Sequence, residues 1–207
     1  MQISRKCQNW TFSTVSQVNT NYKGAVLSIL KTLFCATIMI LQLGWGCLSS
    51  DVMAFDLNML GLRGGISDHR NEEDFTQYEG FATWNLPWSW NLASNWSLTA
   101  FIEANAGLLK GGSDSSFVGS IGSGLNFSGF KDRISILMGL NPTVISEHTF
   151  GDEDLGGPIQ FTSHIGVDFN LVRHFAIGYR FQHMSNFVFY DSNPGLNLHM
   201  IEIGYIF

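Results

Sequence analysis

The stretch WSLTAFIEANAGL, residues 96–108, decides the fold because its apolar and polar side chains alternate. The even-numbered positions are all apolar, whereas the odd-numbered positions include Ser97, Glu103 and Asn105. Successive side chains of a β-strand point to opposite faces, so a period of two predicts a strand with one apolar and one polar side. The stretch is also longer than the roughly 5–6 residues usual for strands of water-soluble proteins.

The same alternation recurs along the chain after residue 54. Eight such segments lie near 55–66, 77–86, 95–109, 115–127, 132–145, 159–169, 173–185 and 197–207. Many are long enough for a tilted strand to cross a bilayer, which takes about 9–11 residues. A strand edge open to lipid would leave backbone N–H and C=O groups without partners, so the strands must close on themselves. We therefore predict an all-β domain over residues 55–207, an eight-stranded antiparallel up-and-down transmembrane β-barrel.

The predicted connections differ in length at the two ends of this barrel. The short ones, expected at the periplasmic end, are 128–131 and 169–173. The longer ones, expected at the outer end, are 67–76, 146–158 and 186–196. A further periplasmic turn is predicted at 87–94, where Trp88 and Trp90 are typical of an interfacial aromatic girdle.

Residues 1–54 have the order of an export signal. Lys23 and Lys31 precede the apolar stretch 33–43, and the small-residue site Val52-Met53-Ala54 follows. This order predicts a secretory segment, with a membrane-anchoring helix as the alternative.

The chain ends on alternating apolar residues up to Phe207. This ending resembles the signal by which outer-membrane barrels are recognised for assembly, so we expect the barrel-assembly machinery as a partner. A soluble lipocalin-like barrel would show a similar alternation. The export signal and the terminal Phe decide against it, and the expected location is the bacterial outer membrane.

Charge and cysteine content exclude several classes of function. The chain has 17 acidic and 11 basic residues, and its net charge of −6 makes nucleic acid an implausible partner. All three cysteines lie in the export segment, so no disulfide is expected in the barrel. We expect no cofactor and no metal site. The acidic outer loops, which include Asp68 and Asp154, lack an EF-hand spacing, and calcium binding there is the less favoured alternative to a solvated loop.

Two polar residues near the end of the seventh segment, His183 and Ser185, carry the predicted chemistry. Because they are two positions apart on a strand, they share a face. Their face-mates are Phe175, Ile177, Tyr179 and Phe181. The pair is therefore expected to point into lipid, where polar groups are costly unless they have partners and a purpose. Asn197 opens the neighbouring last strand on the lipid-facing parity and can lie beside the pair.

These residue types suit ester hydrolysis. Ser185 would attack an acyl carbonyl, while His183 takes the serine proton and returns it to the leaving alcohol. Asn197 would accept a hydrogen bond from the other imidazole nitrogen and fix the tautomer. The expected donors to the oxyanion are the Asn186 side chain and backbone N–H groups of the loop that contains Asn193 and Gly195.

Three other polar residues near this pair have weaker claims. Asp191 is the nearby carboxylate that could replace Asn197 as third member. His199 shares the outward face, either as an accessory donor to lipid phosphate or as an ordinary interfacial residue, which is favoured. Glu202 has the opposite parity and is expected in an interior polar network with Glu103, Arg133, Asp168 and Arg180.

In His183-x-Ser185-Asn186, in the Asn193-x-Gly195 loop and in the closing strand, the chain resembles the outer-membrane lipid A 3-O-deacylases. The resemblance implies an eight-stranded barrel with the catalytic His and Ser on its outer wall. It also implies lipid A of lipopolysaccharide as the substrate, deacylated at the 3-position. The family's best-known members have Glu as third member, where this chain has Asn197.

The pair with an Asn twelve residues after Ser185 also resembles outer-membrane phospholipase A. That enzyme is a twelve-stranded barrel that uses calcium and dimerises. Residues 55–207 are too few for twelve spanning strands of about 10 residues plus turns, so length favours the deacylase. A phospholipase-like acyl hydrolase and a non-enzymatic structural barrel or adhesin stay as alternatives, and a homodimer stays open.

Overall fold

The computed structural model describes residues 56–68, 71, 73–93, 95–187 and 189–207. Its strands are β1 Asp56–Ser67, β2 Phe75–Ala93, β3 Trp96–Gly111, β4 Asp114–Gly129, β5 Ile134–Ile145, β6 Thr149–Phe150, β7 Glu153–Asp154, β8 Ile159–Val172, β9 Phe175–Ser185 and β10 Leu196–Ile206. The predicted export segment 1–54 lies outside the described residues. In the part of the chain that is described, no helix is long and apolar enough to cross a membrane.

The eight long strands form one closed antiparallel barrel. Their order around the barrel is β1-β10-β9-β8-β5-β4-β3-β2. Closure is made by the first and last strands, which pair from Met59 opposite Ile206 to Ser67 opposite Leu198. The predicted eight-stranded all-β barrel is confirmed. The short strands β6 and β7 form a separate hairpin in the connection between β5 and β8.

Side chains alternate between an apolar outer wall and a filled lumen. On β10, Ile201 and Ile203 are more than half exposed, whereas Met200 and Glu202 beside them are buried. Exposed isoleucines in rows are costly in water but favourable against lipid tails. The polar positions of the alternation therefore face inward.

The middle of the lumen contains a network of ionised side chains. Glu103 accepts hydrogen bonds from Arg63 Nη2 at 2.9 Å and from Arg180 Nη2 at 2.8 Å. Glu79 pairs with Arg63, and Glu202 lies 3.3 Å from Arg180 Nε. These side chains are at most 4% exposed. Buried charges are tolerated in a narrow lumen when each one has a partner, and the inward parity expected for Glu202 is confirmed, whereas Arg133, expected in the same network, is exposed just before β5.

An apolar cluster fills the lumen at the end opposite the start of β1 and the finish of β10, here called the distal end. Its members are Phe75, Leu109, Val118, Ile145, Phe150, Leu155, Met184, Leu196, Leu198 and Met200. Phe150 and Leu155 come from the 146–158 connection, and the Phe150 ring meets Phe75 edge to face at 5.2 Å. This outer loop therefore packs into the mouth of the barrel and supports the residues around it.

The predicted turn at 87–94 is wrong. β2 continues to Ala93, which pairs with Trp96 of β3. The pairing shifts register between Asn85 and Ser89, around Pro87. Proline has no N–H to donate to the β-ladder, so it interrupts the strand pairing locally. In a sequence, such an interruption resembles a turn.

Candidate active site

His183 and Ser185 lie on the outer face of β9 near its distal end. They continue the parity of the exposed Phe175, Ile177 and Tyr179, and both are partly exposed themselves. The lipid-facing orientation expected from parity is therefore present in the structure.

Asn197 lies directly across the ladder from His183, with its Oδ1 2.7 Å from His183 Nδ1. A carbonyl oxygen accepts hydrogen bonds and never donates them, so Nδ1 carries the imidazole proton. The other nitrogen, Nε2, is then unprotonated in the neutral ring. This is the tautomer that a general base requires.

The orientation of the Asn197 amide is fixed from its other side. Its Nδ2 donates to Asp68 Oδ2 at 2.9 Å. Because carboxylate oxygens accept only, the amide nitrogen must face Asp68 and the amide oxygen must face His183.

Sequence reasoning missed Asp68, which it placed among the solvated loop acids. The signal that could have found it is barrel closure. Ser67 pairs with Leu198, so the residue after β1 lies beside the residue before Leu198, which is Asn197.

Ser185 and His183 are neighbours that do not form a hydrogen bond in the described structure. Residues two apart on a strand are separated by about 6–7 Å, so a small side-chain movement must bring the hydroxyl to Nε2. Catalytic hydrogen bonds are often long before substrate binds. The geometry shows an oriented imidazole next to a serine on one face.

The loop after β9 and the loop after β1 meet around the imidazole. Gly195 has a left-handed φ of +71°, and a Cβ at this position would lie 2.9 Å from His183 Cε1. Its carbonyl oxygen accepts from Asn71 Nδ2 at 3.0 Å. Only a residue without a side chain fits against the ring here.

The expectation that the Asn186 side chain donates to the oxyanion needs correction. Asn186 is fully buried, and its Nδ2 donates to the carbonyl oxygens of Leu155 at 3.3 Å and Ser192 at 2.7 Å. Both amide hydrogens are therefore used. Asn186 points to the opposite side of the chain from Ser185. Its side chain links the 146–158 connection to the 186–196 connection, and its backbone N–H donates to Asn193 Oδ1 at 3.2 Å.

A polar cavity of about 460 Å³ opens beside His183. Asn197, Asn71 and Gly195 line it together with the acidic residues 152–154 of the β6–β7 hairpin. The backbone N–H of Gly156 and the ring of His148 hold the pKa of Asp154 below its usual value. Asp154, at the rim of the cavity, is therefore anionic at neutral pH.

An aromatic cluster, made of Phe161, Phe187 and Phe189, borders Ser185. Phe161 is the cross-strand neighbour of Ser185, and its ring lies 4.8 Å from the Phe187 ring and 5.9 Å from the Phe189 ring. Phe187 and Phe189 are 53% and 48% exposed. The polar cavity thus borders the imidazole, and an apolar surface borders the serine.

The remaining sequence candidates lie outside this arrangement. His199 has its Nδ1 2.6 Å from the Tyr179 hydroxyl and packs its ring near Phe181. Asp191 is exposed in the last outer loop and, within the described residues, has no hydrogen bond to His183. In the same part of the chain, no group of three or more His, Cys, Asp or Glu residues is arranged to hold a metal ion.

A small closed barrel with an apolar outer wall, and with an oriented His–Asn pair beside a serine on that wall, defines a class of membrane-embedded proteins with an external site. A family model described as lipid A 3-O-deacylase (PagL) matches residues 76–206. The chain belongs to this family, and it is a barrel of the bacterial outer membrane.

Individual relatives agree with this assignment. The lipid A deacylase PagL of Bordetella bronchiseptica is 37% identical over 76 residues, which are 37% of this chain and 43% of that protein. The chain therefore matches less than half the length of this relative. A crystal structure of the outer membrane enzyme PagL gives a TM-score of 0.63 at 21% identity, over 70% of this chain and 97% of that one, and shows the shared fold. The outer membrane protein Ail of Yersinia pestis reaches a TM-score of 0.39 at 13% identity, over 72% of this chain and 99% of that one, which is too low to carry an argument.

Proposed function

We propose that this protein is a lipid A 3-O-deacylase, a serine esterase that hydrolyses the acyl ester at the 3-position of lipid A. The observation that carries the proposal is the 2.7 Å contact of His183 Nδ1 with Asn197 Oδ1 on the lipid-facing wall. It leaves Nε2 able to take a proton next to Ser185. Family membership supplies the substrate class, and the distal end of the barrel would face the outer leaflet.

The reaction would begin at Ser185. Its Oγ attacks the acyl carbonyl carbon, and His183 Nε2 takes the hydroxyl proton. When the tetrahedral intermediate collapses, the bond from the carbonyl carbon to the sugar 3-oxygen breaks, and Nε2 returns the proton to that oxygen. A water molecule, activated by the same imidazole, then hydrolyses the acyl-serine and releases the free fatty acid.

The negative charge of the tetrahedral intermediate needs donors. The Asn186 side chain is committed to two carbonyl oxygens, and Pro194 has no N–H. The backbone N–H groups of Asn193 and Gly195 are therefore the proposed donors. Gly195 is the better placed of the two because it lies against the His183 ring.

The surroundings of the pair suit an ester whose two ends differ in polarity. The sugar part of the substrate would lie at the polar cavity beside His183. The acyl chain would pass Ser185 along Phe187 and Phe189 toward the membrane, where burial of apolar surface stabilises it. The ester would then lie at the boundary between these regions.

Lipid mass spectrometry tests the proposal. The full chain would be expressed in a bacterium whose lipid A carries a 3-position acyl chain, with Ser185→Ala as the matched control. We expect lipid A to lose one hydroxylated acyl chain and free fatty acid to appear, and the control to do neither while its barrel folds. Unchanged lipid A in cells with the unaltered protein would contradict the proposal.

Asn197 favours one second candidate, a phospholipase-like acyl hydrolase, because the outer-membrane phospholipase that the site resembles has Asn at this spacing. The same experiment separates the two functions. Lysophospholipid without deacylated lipid A would indicate the phospholipase. If the cells contain neither product, a structural barrel or adhesin is indicated.

We also propose that Phe207 is part of the assembly signal. Its side chain is exposed, and its backbone N–H donates to the Asn58 carbonyl oxygen, which ties the chain end to the first strand. Deletion of Phe207 should lower the amount of folded barrel in the outer membrane relative to Phe207→Tyr. The homodimer stays a prediction that chemical cross-linking in the membrane can check.

A further inference from the structure

Two consecutive hydrogen bonds connect a carboxylate to the proposed general base. Asp68 Oδ2 accepts from Asn197 Nδ2 at 2.9 Å, and Asn197 Oδ1 lies 2.7 Å from His183 Nδ1. The three side chains come from the loop after β1, from β10 and from β9. Barrel closure places them side by side at the distal end.

The chemistry of the proposed reaction gives this connection a purpose. When His183 takes the serine proton, the ring becomes a cation at the edge of a lipid environment. The Asn197 amide can orient that cation but carries no charge to neutralise it. A carboxylate behind the amide polarises it, since hydrogen bonds in a chain strengthen one another, and a partly buried charge is screened less than a fully exposed one.

We propose that Asp68 is a positioning residue of the esterase: it holds the Asn197 amide oxygen toward His183 and supplies the negative charge that stabilises the imidazolium. This inference rests on the proposed function. In this protein the pair Asn197 and Asp68 does together what a single carboxylate in contact with the imidazole does alone.

Other charged groups near the imidazole are arranged differently. The carboxylates of residues 152–154 line the cavity beside His183, and the Asp154 carboxylate accepts from the Gly156 N–H and contacts His148 Nδ1. On β8, the residues opposite the pair are Ser163 and Phe161, which carry no charge. On β10, His199 contacts Tyr179. The Asp68 carboxylate is connected to His183 by two hydrogen bonds through Asn197.

The variant Asp68→Asn separates charge from geometry. Its amide keeps an oxygen that can accept from Asn197, so the hydrogen bond can persist while the charge is lost. The first readout is the NMR titration of the His183 imidazole in the full-length barrel in detergent micelles, assigned with His183→Gln. We expect its midpoint to fall by about 0.5–1 pH unit, less than the 1–3 units of a carboxylate in direct contact.

The second readout is kcat on lipid A. We expect Asp68→Asn to lower kcat by about 10- to 100-fold, which is below the roughly 10⁴-fold cost of a carboxylate-to-amide change in direct contact with a catalytic imidazole. Asp68→Glu should recover part of the loss. Glu147→Gln, which removes one exposed loop carboxylate outside the cavity, is the matched control and should change neither readout.

A double-variant cycle gives the sharpest test. In an Asn197→Glu background the imidazole contacts a carboxylate directly, so Asp68→Asn should lower kcat much less there than in the unaltered protein. An equal loss in both backgrounds, or an unmoved titration midpoint in Asp68→Asn, would overturn the inference. A moved midpoint in a barrel that releases no fatty acid would support the link to Asp68 while refuting the proposed function.

Discussion

Gly195 lies against the His183 imidazole so closely that a Cβ at this position would approach the ring Cε1 to 2.9 Å. The backbone there is in the left-handed region at φ +71°. The position of the proposed general base therefore depends on a loop residue that has no side chain.

Gly195→Ala should lower kcat on lipid A by on the order of 100-fold, since displacing a catalytic group by about 1 Å has that cost. The added methyl must move the ring, and the left-handed backbone adds strain. The measurement is the rate of fatty-acid release per folded barrel. The control is Gly80→Ala, where a Cβ has its nearest contact at 3.8 Å. Equal rates in the two variants would show that the contact does not hold the ring.

Asn197→Ala should lower kcat while it leaves substrate binding nearly unchanged. The variant removes the acceptor that keeps the imidazole proton on Nδ1, so the ring populates the tautomer that cannot take the serine proton. The expected loss is smaller than the roughly 10⁴-fold effect of a wrong tautomer in a serine protease, because Ala leaves both tautomers accessible. Steady-state kinetics with detergent-solubilised lipid A measures it. A change confined to KM would show that Asn197 is not the third member of the proposed catalytic group with His183 and Ser185.

Phe187→Ala should raise KM for long-chain esters with little change in kcat. The exposed ring forms part of the aromatic cluster beside Ser185, and its loss removes apolar surface that an acyl chain would cover. Loss of about 1.4 kcal/mol of burial corresponds to a roughly tenfold higher KM. A short water-soluble ester, which cannot reach the ring, is the control substrate. If both substrates are affected equally, the ring does not bind the chain.

Glu103→Gln should destabilise the barrel without changing the rate per folded molecule. Glu103 bonds Arg63 and Arg180 inside the lumen, and removing one partner of a buried ion pair costs about 3–5 kcal/mol. Urea unfolding in lipid vesicles measures the change. Glu147→Gln, at an exposed loop position, should stay within about 0.5 kcal/mol of the unaltered protein. A similar small change for both variants would contradict the role of the network.

Asp152→Asn should lower KM for lipid A at low ionic strength. The exposed Asp152 carboxylate lines the cavity beside His183 and would repel the phosphates of an anionic lipid. Salt screens exposed charges over about 10 Å at 0.1 M, so the difference should shrink as salt is added. Kinetics with and without salt check this. A KM difference that persists in high salt would indicate an effect other than charge.

The alternation of apolar and polar side chains explains which features of the fold and the site could be predicted from the sequence. It gave the eight strands and the outward orientation of His183 and Ser185, because parity is a local property of the chain. It failed at the end of β2, where Pro87 breaks the ladder within a strand that continues.

A local sequence pattern could not predict the contacts that depend on loop conformation or on barrel closure. Asp68 reaches Asn197 because the first and last strands pair, which joins residues far apart in the sequence. The Asn186 side-chain amide donates hydrogen bonds to carbonyl groups of two loops, and the sequence does not specify the conformations of these loops. For the same reason, the sequence does not predict that Phe150 packs inside the mouth of the barrel.

The apolar cluster around Phe150 and Leu155 affects whether water and small solutes can pass through the barrel. Bulky side chains fill the distal lumen and charged pairs fill its middle, so the described barrel provides no aqueous route across the bilayer. The proposed substrate and product would then travel sideways in the plane of the leaflet. Cells that make large amounts of the protein should therefore keep their permeability barrier to small hydrophilic dyes.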